Sequence, residues 1–197
     1  FLKHQQLQAK IAPFSGWSMP IQYEGIIAEH TWTRTNASLF DICHMGEFRV
    51  TGTLRESGLE RVVTMRLDDM VDGECRYGFM LNEKAGILDD LVVYRITADQ
   101  WMLVVNAGTI AQDEKNLRAN LAATCRLENI SDKTAKLDVQ GPLSRKVLED
   151  IVGRDLRRLA YYRFSYIHLL GEHAIVSRTG YTGELGYEIY IDVSKAQ

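Results

Sequence analysis

The stretch CRYGFMLNEKAGILDDLVVYRITADQWMLVVNAG, residues 75–108, decides the fold class. Three runs rich in Val, Leu, Ile and aromatic residues are separated by turn signals at Asn82 to Gly86 and at Thr97 to Gln100. That pattern predicts three strands joined by tight turns, an antiparallel meander. Its middle run sets two carboxylates, Asp89 and Asp90, side by side. Successive side chains of a strand alternate, so Ile87, Asp89, Leu91 and Val93 share one face, and Leu88, Asp90, Val92 and Tyr94 the other. Each face then holds one acid among apolar neighbours. An ionised carboxylate taken out of water is costly unless it is paired, hydrogen-bonded or neutralised. The ordinary reading places one Asp in solvent at the strand start, beside the turn. The functional reading makes one of them a site acid, since perturbed acids gather at sites.

Working outward, TIAQDEKNLRANLAA (109–123) predicts a helix opened by a capping box of Thr109 and Gln112. TAKLDVQGPLSRKVLEDIVG (134–153) reads as a strand, a Gly-Pro turn and another helix. YIHLL, HAIVSRTGYTG and YEIYIDV read as strands around a Gly-rich turn. Upstream, EFRVTG (47–52) reads as a strand and TLRESGLERVVT (53–64) as one short amphipathic helix. Residues 1–46 read as irregular, an apolar-aromatic loop APFSGWSMPIQY leading into helical spacing at Ile26, Ile27, His30 and Arg34. Helices interspersed with antiparallel hairpins indicate α+β rather than a doubly wound parallel sheet.

The chain has 197 residues and a formal net charge of -3, with no Lys/Arg run to track a phosphate backbone, so nucleic acid is not suggested. Arg154, Arg157 and Arg158 sit among acids and read as a solvated face. Cys43, Cys75 and Cys125 are far apart and lack Cys-x-x-Cys spacing, which argues against a disulfide framework and a structural zinc site and favours a reducing compartment. No apolar run approaches the ~18 residues of a membrane span, and no signal peptide is evident. A start at Phe1 and a stop at Gln197 just past a strand-like run predict a chain trimmed at both ends.

The Gly-rich element RTGYTGELGYE (178–188) lacks the Gly-Lys-Ser/Thr ending and the Gly-x-Gly-x-x-Gly spacing of nucleotide loops, and it precedes a strand. It reads as a turn needing positive φ at Gly180, Gly183 or Gly186, with Glu188 starting the next strand as a candidate acid. No nucleophile elbow surrounds any Ser, and Cys43 beside His44 is only a neighbour pair. His4, His30, His168 and His173 show no ligand spacing, so no metal site is expected. Asn106, at a strand end, is ordinarily a turn residue. The residues alone thus give an α+β domain with Asp89, Asp90, Asn106 and Glu188 as candidates.

Read in order, HQQLQAKIAPFSGWSMPIQY, SLFDICHMGEFRVTG, YGFMLNEKAGILDDLVVY, LVVNA, LDVQGP and SRTGYTGELGYEIYI resemble the N-terminal portion of the glycine cleavage system T protein family, the aminomethyltransferases. Gln8 stands where the family usually has Gly, Cys43 for Ser and Leu185 for Asp. The resemblance implies a ring of lobes around a folate cavity. Residues 1–46 and 137–197 would form the first lobe, truncated at its C-terminal end, and 47–136 an inserted ferredoxin-like lobe. It implies transfer of the aminomethyl carbon from the lipoyl arm of H protein to tetrahydrofolate, with release of ammonia, in a cytoplasmic or mitochondrial setting. The catalytic acid maps to Asp90 and the pterin-binding acid to Glu188; Asn106, Met45, Val104, Tyr77 and Tyr94 map to the cavity wall. Asp89 is left a structural role, capping the turn or pairing outside the site. This chain alone would be inactive. One alternative within the same fold is a folate-dependent demethylase. The other is a non-enzymatic folate-binding relative of iron–sulfur maturation, against which Thr179-Gly180-Tyr181 speaks because that branch carries Gly-Cys-Tyr.

Overall fold

The computed structural model describes residues 1–196. In chain order the elements are α1 (Leu2–Gln6), β1 (Lys10–Phe14), β2 (Trp17–Gln22), α2 (Ile26–Thr35), β3 (Ser38–Asp41), β4 (Gly46–Thr51), α3 (Leu54–Ser57), β5 (Glu74–Leu81), β6 (Ile87–Thr97), β7 (Gln100–Val105), α4 (Ile110–Asn120), β8 (Arg126–Asn129), β9 (Thr134–Gln140), α5 (Ser144–Val152), β10 (Phe164–Leu169), β11 (Glu172–Ser177) and β12 (Gly186–Asp192). The fold is α+β with antiparallel sheets. The chain divides into two compact units, the first of Phe1–Ile42, Ala135–Tyr161 and Ser165–Gln197, the second of Cys43–Thr134 and Tyr162–Phe164.

The second unit is a five-stranded sheet in the order β5-β6-β7-β4-β8, built on the meander expected of residues 75–108. Asn82 makes the first turn by accepting at Oδ1 from the backbone N–H groups of Lys84 and Gly86, both at 2.9 Å, an Asx-type turn that needs no strand partner. One sheet face is apolar: Phe48, Val50, Leu91, Val93, Trp101, Leu103 and Val105 form a buried cluster with Leu59, Val62, Val63 and, from α4, Leu117. Alternation breaks at one place. The ladder passes from Leu81↔Ile87 to Met80↔Asp89, so Leu88 is an extra residue. This bulge turns Leu88 onto the apolar cluster instead of beside Asp90. The single helix expected over 53–64 is two short turns, because Gly58 takes φ +70 and ends α3 before a 3-10 turn at Leu59–Arg61.

The first unit holds a five-stranded sheet in the order β10-β11-β12-β9-β3 and a separate hairpin, β1-β2. The segment expected to be irregular is therefore largely ordered. Ser15 and Gly16 both take positive φ and turn β1 into β2, and β3 pairs antiparallel with β9 from Ser38↔Gln140 to Asp41↔Leu137. Period-2 patterning was hidden there because these strands are half exposed and carry Pro13, Pro20 and aromatics. His4, placed by α1, binds the Tyr23 hydroxyl through Nδ1 at 2.8 Å and Asp41 Oδ2 through Nε2 at 2.9 Å. The Gly-rich turn has a packing reason: a Cβ on Gly186 would lie 1.9 Å, and one on Gly180 2.4 Å, from the buried side-chain amide of Gln140.

Candidate functional site

β6 delivers its two acids into different surroundings. Asp89, on the face of Leu91 and Val93, is only 6% exposed. Its Oδ2 accepts the backbone N–H of Asn106 at 3.0 Å and its Oδ1 accepts from Asn106 Nδ2 at 2.9 Å. Asp90 is half-buried. Its Oδ1 also accepts from Asn106 Nδ2, at 2.9 Å, and its backbone carbonyl from the same nitrogen at 3.1 Å. With acceptors alone around it, that nitrogen must be the NH2 end of the amide, so its orientation is fixed by chemistry. Asn106 is thus no mere turn residue but the clasp between both carboxylates. The solvent-exposed strand-start reading fails for Asp89, and Asp89 does not cap the turn, a task Asn82 performs.

Tyr77 pairs with Val92, and Val92 with Val104, across neighbouring strands, which sets these three side by side on the face opposite the apolar cluster, one row from Asp90 and Asn106. The Tyr77 hydroxyl hydrogen-bonds Asp90; burial first, then the charge of Asp90, raises its pKa. Met45 is half-buried in the bend before β4. Tyr94 is not brought to Asp90. It lies four residues along β6, fully buried against Phe164 with ring centroids 5.6 Å apart.

In the first unit Glu188, on β12, is a buried acid with its own partners. Lys136 Nζ on β9 lies 2.8 Å from Oε1, with both side chains almost wholly buried. Oε2 accepts from the hydroxyls of Thr179 and, at 3.2 Å, Tyr190. Lys136 also stands over the Tyr190 ring, 5.6 Å from its centroid. Asp138 shares this buried pocket of charge. Burial first, then the charge of Glu188, raises its pKa well above the carboxylate range, against the pull of Lys136. A cavity of about 460 Å³ opens beside the Gly-rich turn, lined by Tyr161, Arg178, Thr179, Tyr181 and Glu184 among others.

Sequence reasoning missed Lys136, Asp138 and Asp113. The first two were visible as inward positions of an apolar strand, Lys-x-Asp-x-Gln, alternating with Ala135, Leu137 and Val139. Asp113 passes for an ordinary first-turn helix acid, yet it is 0% exposed. The expected capping box is absent: Thr109 sits in the αR region with no side-chain cap bond, because its hydroxyl donates instead to the Asn106 carbonyl at 3.0 Å.

Comparisons with known proteins agree with this architecture. The family model described as the GCVT N-terminal domain matches residues 1–197. The aminomethyltransferase of Halothermothrix orenii is 42% identical over 98% of this chain and 54% of its own length. That of Thermotoga maritima is 39% identical over 100% and 54%. The crystal structure of the glycine cleavage system aminomethyltransferase T from Bartonella henselae superposes with a TM-score of 0.87 at 34% identity, covering 99% of this chain and 53% of that one. A heterotetrameric sarcosine oxidase of Corynebacterium shares the fold, with a TM-score of 0.63 at 17% identity. The chain spans about half the length of the curated relatives it matches. With the family model matched from end to end and the meander, the Asn106 clasp and the Gly-rich turn all in place, the chain belongs to the GCVT N-terminal domain family.

Proposed function

We propose that this chain supplies part of a tetrahydrofolate-dependent aminomethyltransferase of the glycine cleavage system, which moves the aminomethyl carbon from the lipoyl arm of H protein to tetrahydrofolate and releases ammonia. The observation that carries this reading is Asp90, a half-buried carboxylate held by Asn106 and Tyr77; the motif resemblance maps the catalytic acid to this residue. Its donors are set before any substrate arrives, so no reorganisation is needed when positive charge develops on the attacking amine beside it. The apolar flank of Val92 and Val104 limits water and strengthens that interaction. Met45 and Tyr77 belong to the wall of the folate site, and Tyr94, farther along β6, packs on Phe164.

Glu188 takes the pterin, whose ring N–H and exocyclic amine present two parallel donors that a carboxylate accepts as it accepts Arg. Lys136 Nζ, 2.8 Å from Oε1, holds the carboxylate in place for that task. Since Oε2 already receives two hydroxyls, a bidentate grip displaces one of them. In this reading residues 47–136 are the inserted ferredoxin-like lobe, and 1–46 with 137–197 the lobe into which it is inserted.

The test is tetrahydrofolate binding and turnover by the full-length protein. Glu188→Gln is expected to weaken binding by about tenfold or more, the loss of a charge-assisted pair, while Asp90→Asn affects turnover more than binding. Unchanged binding in Glu188→Gln would remove that residue from the site. Turnover of a methyl donor without ammonia release would favour the demethylase.

A further inference from the structure

Behind the clasp lies a carboxylate with no assigned task. Asp113, in the first turn of α4, is 0% exposed, and neither of its oxygens has a hydrogen-bond donor among the described residues. The group it meets from β6 is Asp89, itself an acid. The other group acting on it is Thr109 of its own helix start, and among the described residues no cation acts on it. Two ionised carboxylates in contact and out of water repel strongly, so such a pair holds one proton. Which member carries it follows from the hydrogen bonds. Asp89 accepts two N–H groups from Asn106 at 2.9 and 3.0 Å, whereas Asp113 has only the Thr109 hydroxyl near it, and that hydroxyl donates to the Asn106 carbonyl at 3.0 Å. The proton therefore belongs on Asp113, where it turns a repulsive contact into a hydrogen bond.

We propose that Asp113 is a positioning residue for the site acid: protonated, it donates to Asp89, and Asp89 then holds both N–H groups of Asn106 so that the Asn106 amide grips Asp90. The chain of contacts runs Asp113 to Asp89 to Asn106 to Asp90, from the buried side of β6 to its open side. Burial first, with the charge of Asp89 second and the Thr109 hydroxyl opposing, pushes the Asp113 carboxyl up to about 7. Above that pH the proton leaves to solvent, both acids are charged, and Asp89 is driven from its place over Asn106. This inference rests on the reading of Asp90 as the site acid.

The test has two arms on the full-length protein. The first is independent of activity: pH-difference infrared spectra read the C=O stretch of a protonated carboxylic acid. A band that titrates near neutral pH is expected in the wild type, absent from Asp113→Asn and retained in Asp138→Asn, which controls for the other carboxyl that burial pushes up. The second arm is the pH profile of folate-dependent ammonia release. Wild-type kcat is expected to fall by about tenfold per pH unit on the alkaline side, as for any single essential proton, and Asp113→Asn, whose amide donates at every pH, is expected to lack that fall. Asp113→Leu, which cannot donate, is expected to lower kcat about tenfold at all pH values with KM for folate changed less than twofold, the pattern of a lost transition-state interaction. No near-neutral band, or a band that survives Asp113→Asn, overturns the shared proton. A band lost in Asp113→Asn with an unaltered pH profile overturns the positioning role. Absence of any ammonia release would instead overturn the functional reading, and the infrared arm still decides the proton.

Discussion

Asp89 and Asp90 are neighbours in sequence with different surroundings, and under the proposed function substitutions should separate them. Asp90→Asn in the full-length protein is expected to lower turnover by about a hundredfold, the scale of one lost electrostatic contact in a site, with little change in Tm. Asp89→Asn is expected to lower stability by about 1–3 kcal/mol, because a buried acceptor of two N–H groups is lost. Turnover and Tm measured on both variants check the split, and equal profiles would contradict it. Alternation alone could assign the acids to opposite faces. It could not name Asn106 as the clasp, nor Asp113 as the partner, because those contacts join residues 16 to 17 positions apart or cross from strand to helix.

Asp113 also gives stability a pH dependence of known sign. Its folded pKa, about 7, lies above the ordinary 3.8, so the folded state holds a proton that the unfolded chain releases earlier. The stabilisation linked to that proton is intact below about 3.8 and is lost as the pH rises through about 7. At roughly 1.4 kcal/mol for each pH unit between those two values, a few kcal/mol are involved. Denaturant titrations between pH 5 and 8 should show wild-type stability falling more than that of Asp113→Asn; parallel curves would contradict the buried proton.

At the scale of elements, the meander, its two turns, and the helices α4 and α5 were legible, because each carries its own period or turn chemistry. β1, β2 and β3 were not, since half-exposed strands with Pro and Trp show no clean alternation. The bulge at Leu88 was invisible too, being set by pairing with β5 rather than by local preference. The Gly-rich turn was legible as a turn with positive φ, which Gly180 and Gly183 take up, but the Gln140 amide packed against Gly180 and Gly186 was not. Gly186→Ala is expected to cost about 2 kcal/mol or more, as overpacking does, and Gln140→Ala in the same chain should recover part of it. Chemical denaturation of the single and double variants measures that coupling. Gln8, which closes α1 at φ +57, is a smaller case: Gln8→Gly is expected to stabilise by about 1 kcal/mol by relieving left-handed strain.

At the scale of the whole molecule, the proposed function draws on one carboxylate from each unit, Glu188 from the first and Asp90 from the second. Neither role was legible from residue chemistry alone; the motif resemblance chose among acids that periodicity could only sort by face. The chain spans about half of its relatives' length, so the decisive measurement belongs to the full-length protein. It is the release of ammonia from aminomethylated lipoyl H protein, with and without tetrahydrofolate, in the wild type and in Asp90→Asn. Release that depends on tetrahydrofolate and is lost in Asp90→Asn is the expected result; release indifferent to both, or turnover of a methyl donor in its place, would contradict the proposed aminomethyl transfer.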